Sequence, residues 1–364
     1  MSRYKHYLDI DVVTAARERI KHIFDNFDRV VVMFSGGKDS LACLRLCLEE
    51  AHRRGQVPLD VVFRDEELIP DYIVDFVDGY RRREDIRMCW LAVPMVSHKF
   101  ILGHAEPVTF WDNNREWMRP KPPWAISLPP DDLRSFRQNT MDEFIYTHLG
   151  LNGLVAYITG VRADESIFRY RSVVNKLNEN YINASSHKAV KLCKPIYDWH
   201  ENDVMKWLYE NNIEWCEAYD RQHLTKLPLR VSTPLHAEKV RLLSKVSACS
   251  PEFYQRLIEV FPDAENQARY GKDVDKQKVL DEYLSGGLRG CVRYVRERIE
   301  DPKSRRAAMD LIKQFGGLRV NNPEIYPVRD LLMHLVNGKY HRMPVPRGGE
   351  SQIDGDARRE LSDV

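Results

Sequence analysis

The chain has 364 residues, of which 43% are hydrophobic and 30% are charged, proportions that are ordinary for a soluble globular protein. Because the formal net charge is only +1, any contact with nucleic acid or with a membrane surface would need a local patch of charge. No apolar run reaches the length of a membrane span, and the N-terminal residues lack a signal-peptide core, so we expect a cytoplasmic protein.

Apolar residues recur at alternating strand and helix spacing over the first 212 residues,. Strands are predicted over 30–34, 58–67, 86–94 and 153–160, and helices over 14–26, 39–54, 71–82, 133–150 and 201–212. Strands that alternate with helices form parallel sheets that are covered on both faces. The predicted fold class is therefore α/β, with a doubly wound, Rossmann-like parallel sheet.

The texture of the sequence changes along the chain and predicts three regions. An α/β domain is expected over 1–226, with a Pro- and Trp-rich insertion at about 95–132 that is too long to be an idle connector,. A C-terminal all-α appendage is expected over 227–345. Its predicted helices cover 236–248, 250–261, 275–286 and 306–315. The polar segment 346–364 is expected to be a disordered tail.

A glycine-rich turn separates the first predicted strand from the helix that follows it. Its residues are Ser35, Gly36, Gly37, Lys38, Asp39 and Ser40. The glycines permit a tight turn that points successive backbone N–H groups at one anion, and the helix N-terminus adds its positive field. The hydroxyls and Lys38 suit phosphate, whereas Asp39 suits a divalent cation that phosphate would bring. The turn predicts a nucleotide-phosphate site, although its spacing is not that of the P-loop.

A second polar stretch, TGVRADESIFRYRS over 159–172, follows the fourth predicted strand. It places Gly160, Arg162, Asp164 and Arg169 near the carboxyl edge of a parallel sheet, where open α/β sheets bind ligands. Arginine forks suit phosphate or sulfate, and the carboxylate of Asp164 is expected to hold an arginine or assist a metal. A cluster of surface ion pairs is the simpler alternative.

The turn over 35–40 resembles the pyrophosphate-binding loop of the adenine-nucleotide α-hydrolase-like (HUP or PP-loop) superfamily. Residues 159–172 are similar to the G-x-R-x-D-E-S element of its phosphoadenosine phosphosulfate (PAPS) reductase branch. Residues 191–213, KLCKPIYDWHENDVMKWLYENNI, are similar to a further element of that branch. The segment 213–272 is similar to the PAPS-reductase-like proteins called immunoglobulin-binding regulator A. Those proteins are associated with prophage genes and are usually paired with a ParB-like or sulfiredoxin-like partner.

The resemblance implies an enzyme that binds ATP with Mg²⁺, splits the α–β phosphate bond and passes AMP to an acceptor. The catalytic residues it implies are Lys38, Asp39 and Arg162, with Mg²⁺ held through Asp39. The nucleotide-binding set adds Ser35, Gly36, Gly37, Ser40, Asp65, Gly160, Asp164 and Arg169. For Asp65, at the end of the second strand, two roles stay open: contact with ribose or magnesium, or only capping of the next helix.

Two other functions remain open at this point. A sulfonucleotide (PAPS or APS) reductase or sulfur-transfer enzyme would use the same loop, but the family's E-C-G-x-H element is missing and only Cys249 and Cys291 are candidate thiols,. A non-enzymatic regulator would bind adenine nucleotide and dock a ParB-like partner.

Cysteine and histidine spacing predicts neither an iron–sulfur cluster nor zinc. The aromatic loop 110–124 is predicted to be a lid over the nucleotide, with base stacking in nucleic acid as the alternative.

Overall fold

The structure is a computed structural model that describes residues 8–102, 104–173, 179–225, 231–236, 240, 243–270 and 276–344. The described residues form two compact units. The sheet unit comprises 8–96 and 109–233, and the helical unit comprises 97–108 and 234–344. The predicted domain boundary at 226 stays a prediction, and the predicted tail over 346–364 lies outside the described residues.

Strands and helices alternate through the sheet unit, and helices dominate the helical unit. The strands are β1 Arg29–Met33, β2 Leu59–Arg64, β3 Ile86–Leu91, β4 Met95–Ile101, β5 His104–Phe110, β6 Val155–Ile158, β7 Ile182–Ala184 and β8 Val190–Cys193. The first seven helices are α1 Val12–Asn26, α2 Lys38–Arg54, α3 Asp71–Arg81, α4 Gln138–His148, α5 Ile167–Arg171, α6 Glu201–Glu210 and α7 Ala218–Leu224. The others are α8 Leu243–Cys249, α9 Pro251–Val260, α10 Asp263–Tyr270, α11 Lys276–Tyr283, α12 Gly287–Arg298, α13 Pro302–Asn321 and α14 Val328–Val336.

Six strands form one sheet in the order β3-β2-β1-β6-β8-β7. All neighbours pair in parallel except β7, which runs antiparallel to β8 at the edge. The chain leaves β1 in one direction to build β2 and β3, and later returns to the other side of β1 to build β6. The strand order therefore reverses between β1 and β6, which is where sheets of this kind bind their ligands.

Alternate residues of the central strands face two separate cores. Val30 and Val32 pack in the core that contains α1, α2 and α6, whereas Val31 packs with Tyr157 in the core that contains α4. Both faces of the sheet are thus covered, and the predicted fold class, α/β with C-terminal helices, is confirmed.

Several elements were not predicted from the sequence. The insertion contains the two-stranded β4–β5 sheet. Strand β4 is mostly half-buried and β5 contains Pro107, so the sequence shows no clear alternation there. Strands β7 and β8 have only three and four residues and, unlike the equally short β6, neither is a continuous apolar run,. Helices α5, α7, α10, α12 and α14 were also missed. None of the described helices is both long enough and apolar enough to span a membrane.

Candidate active site

The two predicted motifs meet where the strand order reverses. Because β1 and β6 are parallel neighbours, the loops that follow them emerge at the same edge of the sheet. A Cβ on Gly160 would lie 2.6 Å from both the carbonyl carbon of Asp39 and the nitrogen of Ser40. The missing side chain of Gly160 therefore lets the second loop touch the first turn of α2.

The serines of the 35–40 turn bond to the turn itself. The Ser40 hydroxyl donates to the Gly37 carbonyl at 2.9 Å and accepts from the Ser35 nitrogen at 3.2 Å, and the two hydroxyl oxygens lie 3.1 Å apart. Gly36 adopts φ +77°, a conformation that favours glycine. The serines therefore fix the shape of the turn from which the backbone amides of α2 project.

Lys38 is buried between two carboxylates. Its ammonium lies 3.1 Å from Asp39 Oδ2 and 3.0 Å from Glu201 Oε1, and its side chain is 4% exposed. A buried ammonium needs such partners to offset its desolvation. Glu201, at the start of α6, is the partner that the sequence did not predict, since it lies 163 positions after Lys38 along the chain.

Arg162 connects the two loops through charge. Its Nε lies 2.7 Å from Asp39 Oδ1, and its Nη1 lies 2.6 Å from Asp164 Oδ2. The Arg162–Asp39 contact is an ion pair, but its alignment is too poor for a hydrogen bond. Arg162 Nε and Asp39 Oδ1 are therefore buried without a hydrogen-bond partner among the described residues, and so is Asp164 Oδ1. Buried polar atoms without partners are rare in native proteins, so this cluster is suited to take up water, an ion or a ligand.

Arg169 lies at the margin of this cluster. It forms an ion pair with Glu165 one turn earlier, and its side chain is 38% exposed. Glu165 in turn accepts a hydrogen bond from the Arg162 nitrogen at 3.1 Å. The structure thus brings together Lys38, Asp39, Arg162 and Asp164 directly, and joins Arg169 to them through Glu165.

Asp65 differs from the other predicted residues because its carboxylate is fully buried and already engaged. Oδ2 accepts from Trp90 Nε1 at 2.9 Å, and Oδ1 accepts from the Glu67 nitrogen and from Arg119. Burial raises the pKa of this carboxyl, and the Arg119 guanidinium opposes that effect. A contact with ribose or magnesium would have to compete with these bonds, and the next helix, α3, has Pro70 as its N-cap.

Glu67 anchors the aromatic loop 110–124 in the same way. Its carboxylate receives both Arg115 Nη atoms at 2.6 and 2.7 Å and the Met118 nitrogen at 3.0 Å. Trp111 is fully buried, and its indole donates to the Asp65 carbonyl at 2.8 Å. Buried Trp111 and the paired Arg115 and Arg119 are therefore not available to stack on a base, whereas Trp124 at the end of the loop is 42% exposed.

Tyr219 reaches the turn from the distant helix α7. Its hydroxyl oxygen accepts a hydrogen bond from the Lys38 backbone nitrogen at 2.7 Å, and the residue is 3% exposed. No motif or spacing in the sequence pointed to this contact. Helix periodicity alone predicts only that a tyrosine of this kind is buried.

The candidate thiols are not poised for reaction. All seven cysteines are free and buried. Cys291 is fully buried, and burial raises the pKa of its thiol to about 12. A nucleophilic cysteine needs an accessible, low-pKa thiol, so neither Cys249 nor Cys291 has the accessibility of a catalytic residue.

The mostly parallel sheet has a glycine turn and a buried cluster of lysine, carboxylate and arginine at the point where its strand order reverses. This is the arrangement of the open α/β proteins, a class whose ligands bind beyond the carboxyl ends of the strands. Within that class, the chain belongs to the phosphoadenosine phosphosulfate reductase domain family, whose model matches residues 29–257. The match covers more than half of the chain and confirms the resemblance to PAPS reductases. The finer resemblance to immunoglobulin-binding regulator A stays a prediction.

Two curated relatives are themselves uncharacterized proteins. YbdN of Escherichia coli strain K12 is 29% identical over 245 residues, which cover 63% of this chain and 59% of that protein. MJ0973 of Methanocaldococcus jannaschii is 25% identical over 246 residues, which cover 67% of this chain and 48% of that protein. The chain thus spans less than two thirds of the length of either relative.

Similarities to solved structures are more distant. The FMN adenylyltransferase of Candida glabrata has a TM-score of 0.40 at 14% identity, over 60% of each chain. The PAPS reductase from Candida auris has a TM-score of 0.33 at 14% identity, over 60% of this chain and 93% of that one. The U34-tRNA thiolase NcsA from Methanococcus maripaludis has a TM-score of 0.32 at 12% identity, over 72% of this chain and 82% of that one. At this level the similarities do not indicate a reaction.

Proposed function

We propose that the chain binds ATP with Mg²⁺ and cleaves the bond between its α and β phosphates, passing AMP to an acceptor. The observation that carries the proposal is the meeting of Lys38, Asp39 and Arg162 at the N-terminus of α2, where buried polar atoms of Asp39 and Arg162 have no hydrogen-bond partner among the described residues. Helix N-termini and buried cations are the groups that bind and stabilise phosphate.

The residues would act by positioning and by charge. The turn over 35–40 would hold the departing pyrophosphate, and Lys38 would exchange its contact with the half-exposed Glu201 for a phosphate oxygen. Arg162 would face the α-phosphate or the acceptor, where negative charge develops as the bond breaks. In the proposed reaction a lone pair of the acceptor attacks the α-phosphorus, and the electron pair of the broken P–O bond leaves with pyrophosphate.

The residues present fit a magnesium ion that arrives with the nucleotide. Mg²⁺ is commonly bound by one or two carboxylates together with phosphate oxygens and water. Asp39 Oδ1 is buried beside Arg162 and has no hydrogen-bond partner in the described part of the chain. The described part of the chain contains no group of three or more side chains that could hold a metal by themselves. When bound, the ion would neutralise charge on the pyrophosphate.

A sulfonucleotide is the alternative ligand, and the family that the chain belongs to favours it. The burial of all seven cysteines argues against reduction of such a ligand by a protein thiol,. A nucleotide-binding regulator that acts with a ParB-like partner would bind ATP and leave it intact. Both alternatives are outcomes of the experiment below.

The test is incubation of the purified chain with Mg²⁺ and α-labelled ATP, with Asp39→Ala and Asp75→Ala alongside. Asp75 lies on the exposed face of α3 and is the matched control. We expect AMP or an AMP adduct together with pyrophosphate from the wild type and from Asp75→Ala, and neither from Asp39→Ala. Intact but bound ATP would overturn the cleavage and favour a regulator, whereas binding of PAPS without ATP would favour the sulfonucleotide.

A further inference from the structure

The hydroxyl of Tyr219 stands where an anion would meet the helix α2. The Lys38 nitrogen, the first of the helix, donates to this hydroxyl at 2.7 Å. A phosphate oxygen at a helix N-terminus commonly takes such an amide hydrogen. In this protein the amide hydrogen of Lys38 is already bonded to the Tyr219 hydroxyl.

A phenol that accepts a hydrogen bond still has its own proton to donate. Among the described residues, the structure shows no acceptor for the Tyr219 proton, although the residue is 3% exposed. Burial raises the pKa of Tyr219 well above its usual value, so the hydroxyl keeps this proton at neutral pH. A buried donor without an acceptor is costly unless a ligand or water supplies one.

The phenol is held in place and is not a removable plug. Its ring packs in the main core of the sheet unit. A Cβ placed on Gly37 would lie 3.2 Å from the Tyr219 oxygen and 3.1 Å from Val231 Cγ2, so the chain around the turn is tightly packed. The Lys38 ammonium lies over the same ring, 5.5 Å from its centre.

We propose that Tyr219 is a ligand-binding residue of the anion site, whose hydroxyl donates to a β- or γ-phosphate oxygen in place of the Lys38 amide. The inference rests on the proposed function and adds a selectivity to it. AMP lacks the β- and γ-phosphates and gains nothing from this donor. The site should therefore select nucleoside triphosphates and pyrophosphate over AMP partly through Tyr219.

The test compares Tyr219→Phe with Tyr157→Phe by isothermal titration with Mg²⁺–pyrophosphate, α,β-methylene ATP and AMP. Tyr157 is the matched control, because it is fully buried in the same unit and its hydroxyl also makes one backbone bond, to the Asp142 carbonyl at 3.1 Å. A hydrogen bond to a charged group predicts that Tyr219→Phe weakens pyrophosphate and the ATP analogue by about 10- to 100-fold. AMP affinity should be unchanged, and Tyr157→Phe should leave all three affinities unchanged.

If Tyr219→Phe binds AMP and pyrophosphate more weakly by the same factor, or binds pyrophosphate with unchanged affinity, the inference is overturned and nucleotide binding as such still stands. Tighter pyrophosphate binding by Tyr219→Phe would overturn it in favour of a plug. If the wild type binds none of the three ligands, the proposed function fails and the inference fails with it. Should Tyr219→Phe not fold, 3-fluorotyrosine at position 219 retains the ring and makes the hydroxyl a stronger donor. Pyrophosphate should then bind more tightly, and weaker or equal binding contradicts the inference.

Discussion

Gly160 shows how one absent side chain holds the two loops together. A Cβ at this position would lie 2.6 Å from backbone atoms of Asp39 and Ser40, and backbone in the first turn of a buried helix cannot move aside cheaply. Gly160→Ala is therefore expected to lower the free energy of unfolding by about 1–3 kcal/mol through overpacking. Urea unfolding of the purified variant measures this change.

The control for that variant is Gly79→Ala. Gly79 lies inside α3, and a Cβ there would meet nothing within 4 Å. Alanine is the better helix former, so Gly79→Ala should be neutral or stabilise the chain by up to about 1 kcal/mol. Equal effects of the two substitutions would show that the loops do not meet as closely as described.

At the scale of an element, a buried carboxylate organises the aromatic loop 110–124. Glu67 is fully buried, and Arg115 grips both of its oxygens. Without the negative charge of Glu67, the largely buried guanidinium of Arg115 loses the carboxylate that neutralises it. Glu67→Gln is therefore expected to cost about 3 kcal/mol of stability and to release the loop from the sheet.

Hydrogen exchange of peptides that cover 110–124 measures this release, and protection there should fall more than in β1 or α2. Glu116→Gln is the control, because Glu116 is exposed within the same loop. Unchanged protection of the loop in Glu67→Gln would contradict the anchoring role.

The parts of these elements that sequence predicts are those with local causes. The turn over 35–40 is recognisable because its glycines, lysine and carboxylate are adjacent, and the end of α2 at Gly55, with φ +66°, follows from one residue,. Glu201 and Tyr219 were missed because tertiary packing alone brings them to Lys38. Strand β4 was missed because its mostly half-buried residues lack a clear period.

Asp65 and Asp164 illustrate the same limit at the site. Both are carboxylates that follow a strand, and sequence assigned them similar roles. Asp164 joins Arg162, whereas Asp65 is enclosed by Trp90 and Arg119. Trp111 and Arg119 of the insertion cover Asp65. The local sequence around Asp65 does not predict this tertiary contact.

At the scale of the whole molecule, the two units have separate cores. One half-buried histidine is expected to make the helical unit less stable at acidic pH. His334, on α14, has a buried Nε2 without a partner among the described residues, and burial lowers its pKa to about 4. In the unfolded chain its pKa is about 6.5, so the unfolded state binds more protons between these values. The stability of the helical unit should therefore fall as pH drops from 6.5 to 4, by at most about 3 kcal/mol.

Hydrogen exchange of α14 peptides at pH 7 and pH 4.5, corrected for intrinsic rates, measures this loss. His334→Gln cannot gain the proton, so it should remove most of the pH dependence. His341→Gln, at an exposed position, should retain it. A pH dependence that persists in His334→Gln would assign the effect to other groups.

The discontinuity of the helical unit has a consequence for how the protein is made. Residues 97–108 leave the ribosome first, and the rest of their unit begins only at 234, after about 125 more residues have been translated. Phe100 packs against the core of that unit, and at ordinary rates of translation the intervening residues take roughly 6 to 25 seconds to be made. During that interval the apolar side chains of this segment lack the partners that they have in the folded unit. A chaperone that binds extended apolar segments would find its target there.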